Sequence, residues 1–232
     1  MAIAFDASSG SKGAGSSTLT WSHTCSGSNR TLVVGCASKT DDYITGVTYN
    51  GVAMTQVDKT TGGGGGAEYM YILANPASGA NNIVVTASVS IDMMGSAVSY
   101  TGTSLTQPGS HSKGATTGAG SGALSLNTSN TMVGNYSWLV GAGFCYTSVD
   151  YSKVSEGSNV TDRGNSQYAA WFSPGEYNVL MYDYNAVITG SPSYALNTNT
   201  NSAGHAYYAS QILAEISPFS SPATSSTFLS LL

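Results

Sequence analysis

The chain has 232 residues, a hydrophobic share of 41%, a charged share of only 8% and a net charge of −5. Disorder couples low hydrophobicity to high net charge, so this composition predicts a folded chain kept soluble mainly by hydroxyls and amides. The cations stand singly between Lys12 and Arg163, which leaves no basic patch for nucleic acid and no polybasic segment for a membrane surface.

The opening "MAIAFDASSGSKGAGSS" lacks a basic n-region and an apolar h-region, so no signal peptide is expected. No apolar run nears the roughly 18 residues of a membrane span. The first structured run is "STLTWSHTC", whose alternation places Leu19, Trp21, His23 and Cys25 on one face. "GSN" then turns into "RTLVVGCAS", and the two runs read as a hairpin with Cys36 buried beside Leu32 and Val34. "TGVTYNGVAMTQV" predicts a second hairpin about Asn50-Gly51, because a type I′ turn needs positive φ at both central residues. The five glycines Gly62 to Gly66 read as a loop or a close approach of backbone. "AEYMYIL", "NNIVVTASV" and "GSAVSYTG" read as three more strands.

The stretch "GSHSKGATTGAGSG" (109–122) reads as a connecting loop carrying His111. Beyond it, "GALSLNT", "YSWLVGAGFCYT", "SQYAAWFS", "EYNVLMYDYNAV" and "HAYYASQILAEI" alternate or run apolar. No amphipathic helical pattern occurs. Roughly 12–15 short strands with turns every 8–12 residues predict an all-β sandwich or barrel.

Chemistry is sparsely signalled. Carboxylates must stand i, i+2 on a strand to share a face, and no two acids here are so spaced. A retaining glycosidase could still bring Glu68 and Glu176 to about 5 Å of each other; otherwise each is a solvent-facing acid where its strand begins. His23, His111 and His205 have different surroundings, and no nucleophile elbow accompanies them. Asp183 and Asn185 loosely resemble an oxygen-rich Ca²⁺ loop, although such a pair is more often a strand end. Cys25, Cys36 and Cys145 have no metal-ligand spacing. Fifteen tyrosines and three tryptophans either fill a core and interfaces or stack on sugars. The pairs Tyr182/Tyr184 and Tyr207-Tyr208 are expected to put some rings outward.

Taken in order, "NRTLVVGCAS", "ITGVTYNGVAMTQV", "EYMYILANPASGANNIVVTAS" and "AVSYTG" resemble the concanavalin-A-like jelly-roll modules of tailed-bacteriophage structural proteins and some bacterial surface proteins. The likeness covers about residues 18–103 and rests on turns and core positions, none of them catalytic. It implies a two-sheet antiparallel jelly-roll β-sandwich, with residues 1–216 as a single domain and 217–232 as a flexible C-terminal arm. It further implies a non-enzymatic virion component without a cofactor, such as a head decoration or cement protein assembled in a host cytoplasm. Its partners would be a capsid or other virion protein and further copies of itself, a trimer being natural at threefold lattice points. Seven Lys/Arg give trypsin-like proteases few sites, which suits an exposed particle. The alternative is a tail-fibre or surface module whose exposed tyrosines bind glycans.

The segment "SPFSSPATSSTFLSLL" (217–232) fits the structural reading. Its Phe219, Phe228, Leu229, Leu231 and Leu232 are the residues expected to dock on a neighbouring subunit or the capsid shell, unless they add a last strand to their own sheet or fold over their own sandwich.

Overall fold

The computed structural model describes residues 2–62, 66–117, 124–134, 136–147, 153–155, 160–163, 170–172, 175–184, 193–199 and 206–219. Among them there are sixteen strands and no helix. Every strand pairing is antiparallel.

The first seven strands form one sheet: β1 (Ala4–Cys25), β2 (Thr31–Ser38), β3 (Ile44–Tyr49), β4 (Val52–Ala53), β5 (Thr55–Gly62), β6 (Gly66–Ala74) and β7 (Gly79–Thr101). The organising element is β7, which runs unbroken through the two segments read as separate strands. Its first part pairs with β3 and its second part with β2, while β1 follows it along nearly its whole length. The two parts carry opposed layers that close on a core of Leu19, Trp21, Val47, Tyr49, Ile83 and Cys36. Side chains alternate across a strand, so Leu32, Val34 and Cys36 enter this core while Val33 and Ala37 face the other way. Both faces of β2 are therefore buried, and each fully buried valine or leucine contributes about 1.5–3 kcal/mol.

The expected hairpin of β1 with β2 does not form, because β7 lies between them: Tyr100 pairs with Phe5 on one side and Thr31 on the other. Alternation sets which face a residue takes, not which strand lies beside it. The Asn50-Gly51 turn does form, with φ of 50° and 75°, and joins β3 to β4. Gly62 and Gly66 face each other at the ends of β5 and β6, and Gly63 to Gly65, the middle of the glycine run, lie outside the described residues. Gly66 has φ 111°, and a Cβ there would lie 2.6 Å from the Ser38 carbonyl oxygen.

The second sheet contains β8 (His111–Thr117), β10 (Trp138–Thr147), β12 (Val160–Asp162), β13 (Ala170–Phe172), β14 (Gly175–Tyr184) and β16 (Ala206–Ile216). Its central order is β12-β14-β10-β16-β8, with β13 also on β14. The third sheet is β11 (Lys153–Ser155), β15 (Ser193–Asn199) and β9 (Leu124–Ser129). Among the described residues three sheets stand where two were expected, the second being apolar on both faces. One face, with Val140, Ala142, Met181 and Ile212, packs on Val33 and Val98 of the first sheet. The other, with Leu139, Leu180, Tyr182 and Leu213, packs on Leu126 of the third. Gly35 permits the close approach of the first two sheets: a Cβ there would lie 2.7 Å from Met181 Sδ and 2.9 Å from Ala142 Cβ.

His111 is also re-placed. The stretch read as a loop forms β8 and pairs with β16 from Ala214 to Tyr208. Small residues carry no hydrophobic period, so this strand is defined by its neighbour. Residues 118–123 lie outside the described residues.

Candidate functional site

The most elaborated polar construction lies where the chain leaves β16. Alternation in "ILAEI" turns Glu215 to the face of Leu213, and its side chain is fully buried. Burial raises its pKa, but the carboxylate accepts hydrogen bonds from the Val133 amide (2.9 Å), the Ser110 hydroxyl (2.7 Å) and the Gly134 amide (2.8 Å). These donors win, and the pKa lies below its ordinary value. Asn130 Nδ2 donates in turn to Ser110 Oγ at 2.8 Å. One carboxylate thus ties the loops around Gly109 and Val133 to β16. A Cβ on Gly109 or Gly134 would lie within about 3 Å of the Glu215 carboxyl group.

Glu215→Gln is expected to cost about 1.5–3 kcal/mol near pH 7, because an NH2 would face an amide donor. A group whose folded pKa is depressed contributes stability above its unfolded pKa and loses it as pH falls through the folded value. Urea unfolding at pH 7 and pH 3 should therefore show the gap between wild type and variant closing in acid.

Two residues on, the Ser217 carbonyl accepts from the Ser104 amide (2.8 Å) and Gln107 Nε2 (2.9 Å), while its amide donates to Gln107 Oε1 (3.1 Å). Pro218 bridges Thr103, and the Phe219 amide donates to the Gly102 carbonyl at 2.8 Å. Ser217 and Phe219, on either side of the bridged Pro218, are thus hydrogen-bonded to their own chain, and Phe219 is half-buried. Phe228, Leu229, Leu231 and Leu232 lie outside the described residues. The same end presents apolar side chains to solvent: Leu105 is 54% exposed, Val133 71% and Tyr136 66%.

The other candidate residues fall elsewhere. Glu68 is no solvent-facing acid. It points from β6 between the first and second sheets and is fully buried. Its Oε2 accepts from Ser210 Oγ at 2.5 Å and Thr60 Oγ1 at 3.4 Å, and Oε1 has no partner among the described residues. Burial pushes its pKa up to about 8 against those two hydroxyls. Glu176 pairs through its backbone with Thr147 and Trp171; its side chain lies outside the described residues, as do His205 and Asn185.

Asp183 belongs to no open loop. It sits within β14, fully buried, where its carboxylate binds Arg163 Nε (2.7 Å) and Nη2 (3.1 Å) and accepts from Tyr100 OH (2.9 Å). Tyr182 and Tyr184 share one face, being two apart, and both pack against the core between the second and third sheets. Tyr208 is also buried, and the Tyr207 side chain is outside the described residues. Among the described residues, aromatic rings chiefly fill cores. Cys25, Cys36 and Cys145 are buried and form no disulfide, and burial raises the Cys36 thiol well above its ordinary pKa.

One pairing escaped sequence reasoning. Ser9 Oγ lies 2.7 Å from His23 Nδ1 and accepts from Trp21 Nε1 at 3.0 Å. Ser9 stands in a Gly/Ser-rich stretch with no hydrophobic period, so nothing in the sequence marked it. Burial pushes His23 down to about 4 despite the nearby Asp6 charge. Its Nε2 has no partner among the described residues, so no carboxylate orients the imidazole as a nucleophile's base requires. No cluster of three or more His, Cys, Asp or Glu among the described residues is placed to hold a metal ion. In comparisons with known proteins, no family model, no curated protein and no solved structure matches this chain.

Proposed function

We propose that the chain is a non-enzymatic structural protein of a tailed-phage particle that decorates or cements the capsid through protein–protein contacts, with copies of itself associated on the surface. The concanavalin-A-like jelly roll is part of this reading, and the non-consecutive neighbours in both large sheets are compatible with its crossovers. The observation that carries the proposal is the chain exit. Phe219 is anchored at an end rich in exposed apolar side chains, and the sequence beyond it holds Phe228, Leu229, Leu231 and Leu232 on an uncharged Ser/Thr linker. Burying four such side chains contributes on the order of 6–10 kcal/mol before ordering costs.

The test compares the full chain with one stopped after Phe219, which keeps the contacts to Gly102, Ser104 and Gln107. Light scattering reports their masses, and co-sedimentation with undecorated capsids reports binding. The shortened chain is expected to fold, with an unchanged melting temperature, and to lose capsid binding. Equal capsid binding by both chains would overturn the role of the arm.

A second reading is a glycan-binding surface module, favoured by Tyr136, whose ring is largely exposed. Glycan-array binding lost on Tyr136→Ala would move the assignment there.

A further inference from the structure

We propose that Glu68 is a proton-operated latch on the junction between the first and second sheets. Loss of its proton lets this end of the junction part while the cores inside the sheets stay closed.

Three observations carry it. The first is that the cores are separate. Leu19, Trp21, Val47 and Cys36 close a core within the first sheet, while Leu139, Leu180 and Leu213 belong to the core shared with the third. The junction itself holds two further clusters. The larger includes Val33, Val98, Val140 and Ile212, and the smaller is Ala37, Met94, Phe144, Val179 and Tyr208. Glu68 stands at the smaller one: it pairs with Ala37 across β2 and β6 and reaches Ser210, two residues from Tyr208 on the same face of β16.

The second is how the carboxyl is held. Asp183, the buried acid at the larger cluster, is paired with Arg163, and Glu215 accepts from two backbone amides. Glu68 is fully buried with only the hydroxyls of Ser210 (2.5 Å) and Thr60 (3.4 Å) as donors among the described residues. Its Oε1 and the buried Tyr208 hydroxyl both lack a partner there. A neutral carboxyl is tolerated in such a place and a charged one is penalised, which agrees with a pKa pushed up to about 8.

The third is what surrounds it. On β5, Asp58 shares the face of Thr60 but is bound to Lys113 Nζ (2.7 Å) and lies 3.8 Å from His111 Nε2, both on β8. Lys59 turns the other way and pairs with Asp42. Tyr208 on β16 is a phenol whose pKa burial raises. Cys36 on β2, Tyr182 on β14 and Cys145 on β10 face away from the junction. No cation among the described residues therefore meets the Glu68 carboxyl. Below pH 4.5 the carboxyl is protonated whether the junction is open or closed. Between pH 4.5 and 8 only the open form ionises, so opening becomes easier as pH rises.

The experiment places a thiol on each side of the junction, with Val179→Cys on the second sheet and Ala37→Cys on the first. Cys36, the neighbour of Ala37 on β2, faces the first-sheet core and serves as the reference. Iodoacetamide labelling is mapped by peptide fragmentation from pH 6 to pH 8, each rate divided by that of the urea-unfolded chain at the same pH. The thiols at positions 179 and 37 are expected to gain roughly 50-fold over this range and to react well ahead of Cys36. In a Glu68→Gln background the gain should vanish, because the amide has no proton to lose. Either probe suffices if the other does not fold. A common rate for the junction thiols and Cys36 would mean that the chain unfolds as a whole, and it overturns the inference. So does a rise that survives in the Glu68→Gln background, or a Glu68→Gln chain that fails to fold.

Discussion

Replacing Arg163 with Met is expected to lower the free energy of unfolding by about 3–5 kcal/mol. The reason lies in what stays behind. Asp183 has no exposure, and its carboxylate is held by two guanidinium contacts and one phenol between the first and second sheets. Without the guanidinium, the buried carboxylate keeps only the Tyr100 hydroxyl among the described residues. The guanidinium also lies 4.2 Å from the centroid of the Phe5 ring, a contact worth about 0.5–1 kcal/mol or more. The double variant Arg163→Met/Asp183→Asn should recover most of the loss, because a neutral amide can still accept from Tyr100. A deficit below about 1 kcal/mol at pH 7 by urea unfolding would show that Asp183 reaches water without Arg163.

Glu68→Gln should act in the opposite direction and stabilise the protein at pH 8. The folded pKa of Glu68 is raised by burial from 4.5 to about 8. Below pH 4.5 the carboxyl is protonated in both states and carries no ionisation penalty. Between pH 4.5 and 8 the unfolded chain ionises while the folded chain does not, so stability falls with rising pH. The accumulated loss is on the order of 3–5 kcal/mol at pH 8, and the glutamine variant escapes it. His23 has the reverse sign. Its folded pKa is lowered from 6.5 to about 4, so its contribution is present above pH 6.5 and lost as pH falls toward 4. The two oppose each other between pH 4.5 and 6.5. Above pH 6.5 the Glu68 slope should stand out, at about 1.4 kcal/mol per pH unit. Chemical denaturation from pH 5 to 8 should show a wild-type curve that is nearly level to pH 6.5 and then falls, and a variant curve that rises to pH 6.5 and is then level. Parallel curves would mean that the Glu68 carboxyl is solvated.

What could be read in advance follows a physical division. Faces were legible: Leu19, Trp21, His23 and Cys25 alternate inward as their spacing requires, and Asn50-Gly51 makes its turn from local chemistry alone. Partners were not. The neighbour of β1 is β7, more than fifty residues away even at the closest pairing, and no local pattern encodes that choice. Strands of small residues, such as the first half of β1 and all of β8, have no hydrophobic period and become strands through their neighbours. The three buried acids share a missed signal: Glu68, Asp183 and Glu215 each interrupt an apolar run, in "AEYMYIL", "LMYDY" and "ILAEI". An acid so placed on a two-sided strand needs a donor or a proton. The anchorage of Ser217 and Phe219 depends on long-range hydrogen bonds to Gly102, Ser104 and Gln107, which no local pattern encodes.

The pairing of β1 along β7 also has a temporal meaning. Ala4 pairs with Thr101 and Cys25 with Gly79, so the first strand meets its only strand partner among the described residues only after more than fifty further residues have been made. Long-range pairings of this kind slow folding, because loop closure precedes the reward of contact. While it waits, β1 is an unpaired edge of 22 residues carrying one aspartate and one lysine, and unpaired edges invite association with other chains. Emergence of β7 from the ribosome is therefore the event that removes this hazard and lets the first core close.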